Sequence, residues 1–325
     1  MITEKPEKSF RILSIDGGGF RGVYSAHLLN SIESKLNINL LDTFDLIAGT
    51  STGSIIAAGI ACSIPVSTIL QLYKDHGRRI FCKRAHTRLP FISGLFASKY
   101  HNNALKEVLK NTFGDRTLGD IRKPLIIPST DIGNGCVHVF KSKYDEGFVR
   151  DPDVLVRDAV LASCSAPTYF DPYKLKEYLL VDGGLWANNP SLVAAIDARK
   201  RLKIDLDRLK ILSVGTGTVK QYYPQKVSLW KRPCGWGFIT RWGRGKLIDT
   251  LLYLQASAAS NMVGLLLNAD QIMNLNFETD VTFALDNTKM QNDLISKADR
   301  EFTYKSDEIK AFLETSEGVQ NVREE

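Results

Sequence analysis

The chain has 325 residues, of which 44% are hydrophobic and 24% are charged. These proportions are ordinary for a globular protein and exclude a collagen-like or intrinsically disordered chain. The formal net charge of +6 favours anionic partners, but no run of five or six like charges indicates an arm that binds a nucleic-acid polymer. The length allows one large α/β domain, and we expect a single domain over residues 1–325.

The sequence has no uninterrupted apolar run of the length that crosses a bilayer. Its first eight residues include acidic side chains and lack the apolar core of a secretory signal. The cysteines are odd in number and have no Cys-x-x-Cys spacing, which predicts reduced, mostly buried thiols without a disulfide framework or zinc site. They are Cys62, Cys82, Cys136, Cys164 and Cys234. We therefore expect a cytoplasmic protein.

A glycine-rich loop follows the first predicted strand, residues 10–15, and leads into a predicted helix over residues 23–36. The glycines of the loop are Gly17, Gly18, Gly19 and Gly22. Backbone N–H groups in such a loop can point together at one anion. The spacing fits the Gly-x-Gly-x-x-Gly turn of a dinucleotide-binding protein. It also fits an oxyanion hole, beside which Arg21 supplies positive charge.

A second predicted strand, residues 45–48, leads into the motif Gly-x-Ser-x-Gly around Ser51, and a helix over residues 52–61 follows. A glycine on each side of Ser51 permits the sharp, strained turn of a nucleophile elbow. The alternative is an ordinary loop that caps a helix. Two strand-to-helix turns within sixty residues predict a doubly wound, mostly parallel α/β sheet flanked by helices. Both loops then lie at the carboxyl ends of strands.

The remaining elements alternate between helical and extended patterns. Helices are predicted over residues 65–82, 103–113, 191–201, 247–267 and 291–314, and strands over 124–130, 137–141, 178–181, 210–214, near 273 and over 281–285. Asp151 and Pro152 predict the start of another helix, because a capping side chain precedes proline at the first helical position. A basic, irregular segment over residues 83–94 is interpreted as a solvated connection, with a surface flap as the alternative.

Asp182 follows the strand 178–181 and precedes two glycines, so its carboxylate lies on a tight turn at a strand end. An ordinary Asp-Gly turn is the alternative interpretation. Histidine is the usual base of a serine hydrolase, but every histidine of this chain precedes Asp182. The chain order Ser, Asp, His of an α/β-hydrolase therefore cannot be completed. A carboxylate that acts directly on the serine is the remaining option, with Asp182 as its candidate.

Residues 227–246 differ in composition from the rest of the chain, because they mix three of its four tryptophans with arginines and lysines. Aromatic rings mixed with cations are typical of a segment at a bilayer interface. The same mixture is able to stack on a nucleotide effector. A folded loop with its tryptophans packed inward is the third interpretation.

Four motifs together resemble those of the patatin-like phospholipases, in that family's order. They are residues 16–22, 49–53, 162–170 and 182–184. The resemblance implies hydrolysis of lipid acyl esters by a Ser–Asp dyad through an acyl-enzyme, without a metal or cofactor. Ser51 would be the nucleophile and Asp182 the base. Backbone donors of the oxyanion hole would come from Gly17, Gly18 and Gly19, while Arg21 would orient the loop or add charge.

Bacterial patatin-like proteins of about this size include antiphage effectors that cyclic nucleotides activate and that degrade the cell membrane. The resemblance therefore implies phospholipids as substrates, a cyclic-nucleotide activator, and peripheral association with the inner membrane face; an oligomer is compatible with it. The alternatives are an esterase or thioesterase on soluble acyl esters and a nucleotide-binding Rossmann protein. A membrane-binding protein without catalytic activity is a further alternative.

Overall fold

A computed structural model describes residues 8–82, 98–219, 244–279 and 284–314. Its strands are β1 Phe10–Ile15, β2 Leu46–Gly49, β3 Leu125–Asp131, β4 Cys136–Lys141, β5 Tyr173–Leu175, β6 Tyr178–Asp182, β7 Leu209–Val214, β8 Thr218–Val219, β9 Ile272–Leu275 and β10 Glu278–Thr279. Its helices are α1 Gly22–Lys35, α2 Leu40–Thr43, α3 Thr52–Ala61, α4 Val66–Ile80, α5 Asn102–Phe113, α6 Val156–Cys164, α7 Gly184–Ala187, α8 Ser191–Lys200, α9 Arg244–Leu266 and α10 Gln291–Glu314.

Within the described residues the central sheet has eight strands in the order β5-β6-β3-β2-β1-β7-β9, and β4 also pairs with β3. Strands β1, β2, β3, β7 and β9 are parallel, whereas β4 and β6 run antiparallel to β3. Short β8 and β10 pair separately. This arrangement confirms the predicted α/β fold with a mostly parallel sheet.

Helices cover both faces of the sheet. Neighbouring residues of a strand point to opposite faces, so one strand packs against helices on both sides. Leu13 and Ile15 of β1 pack into the core cluster that contains side chains of α1, α3, α4 and α10. Ile12, which precedes Leu13, packs into the other cluster, with side chains of α8 and α9. The alternation explains why the central strands carry apolar residues on both sides, as expected for a sheet buried on both faces.

Strands β2 and β6 both pair with β3 and approach each other end to end. Ala48 of β2 pairs with Ile126 near the start of β3, and Asp182 of β6 pairs with Ser129 near its end. Strand β4 pairs with β3 along that whole length, so β2 and β6 share the opposite edge. Because β6 runs antiparallel, its last residue comes toward the last residue of β2. The topology thus brings two strand ends together.

The predicted helix start at Asp151 and Pro152 is wrong, since helix α6 begins at Val156. The Asp151 carboxylate accepts two hydrogen bonds from the Arg150 guanidinium, at 2.7 and 2.6 Å, and is not available as a cap. The Pro152 carbonyl accepts the N–H of Gly119 at 2.8 Å. The segment before Val156 is therefore held by neighbouring side-chain and loop contacts.

Cys62 and Cys164 are buried free thiols, whereas Cys82 and Cys136 are exposed. The prediction of mostly buried thiols is thus wrong for half of the four cysteines that the structure describes. None of the helices in the described ranges is both long and apolar enough to cross a bilayer. The basic segment over residues 83–94, the tryptophan-rich residues 227–243 and most of the strand predicted over 281–285 lie outside the described residues.

Candidate active site

Ser51 lies on a strained turn between β2 and α3, with a φ of 53° that is unusual for a residue with a side chain. The glycines on either side allow this turn. A Cβ atom on Gly49 would lie 2.2 Å from the Gly53 carbonyl oxygen, and one on Gly53 would lie 2.3 Å from the Ile15 carbonyl oxygen. The motif therefore forms the predicted elbow, with Ser51 at the N-terminus of α3.

The structure brings Ser51 and Asp182 together, although 131 positions separate them in the sequence. The Ser51 hydroxyl donates to Asp182 Oδ2 at 2.6 Å, and the Gly184 N–H donates to Asp182 Oδ1 at 2.7 Å. Both carboxylate oxygens are thereby oriented. Burial raises the pKa of Asp182 to about 6, against the opposing effect of these hydrogen bonds. Asp182 is then largely ionised at neutral pH yet able to accept a proton.

Ser163, on α6, supports the elbow from behind. The Ser51 N–H donates to Ser163 Oγ at 2.9 Å, and the Ser163 hydroxyl donates to the Pro128 carbonyl oxygen at 2.6 Å. This chain of hydrogen bonds ties the elbow to α6 and β3. Sequence analysis gave Ser163 no role of its own, although it lies within the third motif. Its partners are distant in the sequence, and no local pattern identifies such a contact.

The glycine loop faces Ser51 across the candidate site. Gly18 and Gly19 line the same cavity as Ser51, and no acceptor among the described residues takes either N–H group. The Gly17 N–H instead donates to the Asn188 carbonyl oxygen at 3.0 Å. The expectation that Gly17 supplies an oxyanion donor is therefore wrong, because its N–H is already bonded. Asn188 is a second residue of the site, after Ser163, that was not predicted from the sequence.

The loop is held tightly between two other segments of the chain. A Cβ atom on Gly18 would lie 2.2 Å from Thr216 Oγ1, and the Thr216 hydroxyl donates to the Gly17 carbonyl oxygen at 2.9 Å. On the other side, the Phe20 N–H donates to the Leu285 carbonyl oxygen at 2.7 Å. These contacts fix the direction of the free N–H groups before any ligand binds.

Arg21 makes hydrogen bonds within this loop. Its Nε atom donates to the Gly18 carbonyl oxygen at 3.2 Å, and its Nη1 atom reaches the Gly217 carbonyl oxygen at 3.5 Å. The side chain thus joins the glycine loop to the segment after β7. Of the two roles that the resemblance implies for Arg21, this geometry favours orientation of the loop.

The cavity beside Ser51 is apolar and has a volume of about 120 Å³. Its walls include Ile55, Phe81, Leu105, Phe170, Leu252 and Leu285. Apolar cavities of similar size hold a benzene molecule, so this one accommodates part of an acyl chain. A charged head group would lose its hydration there without gaining a partner. The cavity therefore suits the acyl side of an ester bond.

The described histidines lie elsewhere. His27 Nε2 is 2.9 Å from Asp299 Oδ1 on α10, and His138 packs against the rings of Phe140 and Tyr178. No hydrogen bond joins a histidine to Ser51 or Asp182 in the part of the chain that the structure describes. Asp182 is the group in contact with the Ser51 hydroxyl.

Comparison with known proteins gives consistent matches. The profile of the patatin-like phospholipase family matches residues 13–195. A cGAMP-activated phospholipase of Pseudomonas aeruginosa is 33% identical over 258 residues, which cover 78% of this chain and 74% of that protein. A cGAMP-activated phospholipase of Escherichia coli is 32% identical, with the same coverage. A cUMP-AMP-activated phospholipase of Escherichia coli is 34% identical over 229 residues, or 66% of this chain and 67% of that protein.

Proposed function

Because this chain belongs to the patatin-like phospholipase family and is a lipid ester hydrolase, we propose that it acts through a Ser51–Asp182 dyad and an acyl-enzyme. The observation that carries the proposal is the 2.6 Å hydrogen bond from the Ser51 hydroxyl to Asp182 Oδ2, at the end of an apolar cavity. A buried carboxylate adjacent to a serine hydroxyl is a suitable base for that serine. Family membership overturns the Rossmann and non-enzymatic alternatives.

In the acylation step, Asp182 accepts the Ser51 proton while Ser51 Oγ forms a bond to the carbonyl carbon of the ester. The negative charge that develops on the carbonyl oxygen is stabilised by the N–H groups of Gly18 and Gly19. The tetrahedral intermediate then collapses, and the bond to the alcohol oxygen breaks. Asp182 returns its proton to that oxygen, so a lysolipid leaves and the acyl group remains on Ser51.

In the deacylation step, a water molecule takes the place of the alcohol. Asp182 accepts a proton from the water as its oxygen bonds to the acyl carbon, and the same glycine N–H groups stabilise the second intermediate. The bond between the acyl carbon and Ser51 Oγ breaks. Ser51 recovers its proton from Asp182, and the fatty acid leaves. Both steps use the same residues and need no cofactor.

We infer that the substrates are membrane phospholipids and that the enzyme works at the inner membrane face as a peripheral, cytoplasmic protein. The apolar cavity supports this inference because it suits a fatty acyl chain. We also propose that a cyclic nucleotide activates it in antiphage defence. The support is that relatives at 32–34% identity are named for activation by cGAMP or cUMP-AMP.

The test compares wild type, Ser51→Ala and the surface control Ser34→Ala on mixed-phospholipid vesicles, with and without cGAMP and cUMP-AMP. Mass spectrometry follows fatty acids and lysolipids. We expect release by wild type and Ser34→Ala, and a loss of several orders of magnitude in Ser51→Ala. Release by Ser51→Ala would overturn the dyad. Equal rates with and without nucleotides would overturn the activation, and cleavage of soluble esters alone would favour a soluble-ester esterase.

A further inference from the structure

Helix α9 has an apolar side that remains exposed to solvent. Twelve large hydrophobic side chains are well exposed in the described residues, and five of these twelve belong to α9. The four most exposed of these are Leu251 (56%), Leu254 (54%), Met262 (54%) and Leu265 (90%). Single exposed hydrophobic residues are common, but a concentration on one element marks an interaction surface.

These four residues form one continuous face of the helix. At 100° per residue they fall within about 80° of one another around the helix axis, and they extend along about 21 Å of its length. We refer to Leu251, Leu254, Met262 and Leu265 as the apolar face of α9. The opposite side carries Val263, which is buried against the sheet. The apolar face is therefore not needed for packing within the described fold.

Helix α9 also borders the catalytic cavity, with a side other than its apolar face. Leu252, about 100° from Leu251 around the helix axis, lines that cavity, and so does Leu185, which is 49% exposed. Helix α7, which contains Leu185, packs against α9. A Cβ atom on Gly184 would lie 3.0 Å from Leu252 Cδ2, which shows how close the two helices are. The cavity therefore has an exposed apolar side chain, Leu185, on an element that packs against α9.

We propose that the apolar face of α9 inserts into the interfacial region of the bilayer and presents lipid acyl chains to the cavity. This proposal rests on the proposed action at membranes, and it specifies the docking surface. A bilayer is favoured over a protein partner because the lipid substrate of such a hydrolase lies in a bilayer. The same helix lines, through Leu252, the cavity that takes the acyl chain, and the net charge of +6 suits an anionic membrane.

The experiment measures flotation with vesicles of phosphatidylethanolamine and phosphatidylglycerol. Each variant is made in the Ser51→Ala background, so that binding is separated from catalysis. Leu251→Glu tests the end of the face near the cavity, and Leu265→Glu tests the far end. Val137→Glu, on β4, is the matched control, because Val137 and Leu251 have the same 56% exposure. Leu265→Phe keeps an apolar side chain at the far end.

We expect each glutamate on the apolar face to weaken vesicle binding about tenfold or more, the factor that burial of one leucine represents. Val137→Glu and Leu265→Phe should bind as the background protein does. With Ser51 intact, Leu251→Glu and Leu265→Glu should hydrolyse a monomeric short-chain ester at the wild-type rate. A wild-type enzyme inactive on that ester in the presence of cGAMP and of cUMP-AMP would contradict the proposed dyad, whereas vesicle binding would still test the docking face.

Two results would overturn the proposed docking face. One is unchanged vesicle binding in both glutamate variants. The other is dissociation of an oligomer by Leu265→Glu, measured by light scattering, while the resulting monomer binds vesicles normally. The second result would mean that a second copy of the chain covers the apolar face. Because these side chains are at least half exposed, the substitutions leave the core unchanged, and the thermal unfolding midpoint checks this.

Discussion

At the scale of single residues, Asp182 combines a charge with burial. It is 6% exposed, and its carboxylate accepts hydrogen bonds from Ser51 and Gly184. Burial has the larger effect and raises its pKa from 3.8 to about 6. The folded protein thus binds the Asp182 proton more tightly than the unfolded chain does. Holding the buried Asp182 carboxylate in its charged form lowers the free energy of unfolding, and unfolding experiments measure that decrease.

We predict that Asp182→Asn makes the protein more stable at neutral pH while removing activity. Well below pH 3.8 the carboxyl is protonated in both states, so the wild type carries no penalty; above about pH 6 the folded state holds a buried charge. The raised pKa, 3.8 to about 6, corresponds to about 3 kcal/mol. Urea unfolding should therefore show the advantage of Asp182→Asn growing by about that amount from about pH 3 to about pH 7.5. A pH-independent difference would contradict the raised pKa.

Gly19 needs both its positive φ and its missing side chain. Its φ is +59°, and a Cβ atom would lie 2.3 Å from the Leu285 carbonyl oxygen. Gly114 has the same φ of +59° with no atom near the position of a Cβ. The two glycines therefore separate the cost of backbone strain from the cost of a steric clash.

We predict that Gly114→Ala costs about 1–3 kcal/mol of stability and leaves hydrolysis unchanged, because its φ of 59° and ψ of −136° form a conformation that residues with a Cβ atom rarely adopt. Gly19→Ala should cost more, and it should lower kcat about a hundredfold or more, because the clash displaces a proposed oxyanion donor. Chemical denaturation and initial rates on a soluble ester measure both effects. Equal rates in the two variants would mean that the loop tolerates the displacement.

At the scale of secondary structure, the site depends on the approach of two strand ends. Strand β2 runs parallel to β3, whereas β6 runs antiparallel to it, so Ser51 and Asp182 follow strands that point toward each other. Helix α6 holds this junction through Ser163, whose hydroxyl bridges the Ser51 N–H and the Pro128 carbonyl oxygen. The distance between the Ser51 hydroxyl and the Asp182 carboxylate is therefore set by three elements together.

We predict that Ser163→Ala destabilises the protein by about 1–3 kcal/mol, because it leaves the buried Ser51 N–H without an acceptor. It should also lower kcat about tenfold or more with a smaller change in KM, since a small misplacement of the nucleophile affects the reaction more than binding. Ser165→Ala is the control, because its buried hydroxyl donates at 2.8 Å to the Leu161 carbonyl oxygen of its own helix. Similar kinetics in both variants would contradict a specific role of Ser163.

At the scale of the whole molecule, charge and the apolar face of α9 act over different distances. In the proposed docking, the net charge of +6 would attract the chain to an anionic surface from beyond contact, whereas an apolar side chain would contribute only once it is buried. The single domain over residues 1–325 stays a prediction, as does the role of residues 227–246.

We predict that binding to phosphatidylglycerol-containing vesicles decreases several-fold between about 0.1 M and about 1 M NaCl, because the Debye length falls from about 10 Å to about 3 Å. Binding to vesicles of phosphatidylcholine alone should not decrease, since the apolar contribution is not screened. Flotation at each salt concentration with Ser51→Ala measures both. Equal salt sensitivity on the two kinds of vesicle would show that net charge does not contribute to docking.

The sequence by itself determined the features that short segments encode. The elbow at Ser51 and the glycine loop are visible because their steric demands fall on adjacent residues, and a sharp turn needs glycine wherever the backbone crowds itself. The alternation of strand and helix patterns predicted the fold class, because these patterns too lie within short segments. Asp182 was predicted as the base from its place after a strand and from the fact that every histidine precedes it in the chain.

Only the tertiary structure decided which of these groups face one another and which are already bonded. The Gly17 N–H has an acceptor in Asn188, whereas those of Gly18 and Gly19 have none among the residues that the structure describes. Ser163 supports Ser51 from 112 positions away in the sequence. The exposure of the apolar face of α9 was equally hidden, because an apolar helix reads the same in sequence whether a neighbour covers it or not. Such contacts depend on chain topology, which brings distant segments together and leaves no local pattern.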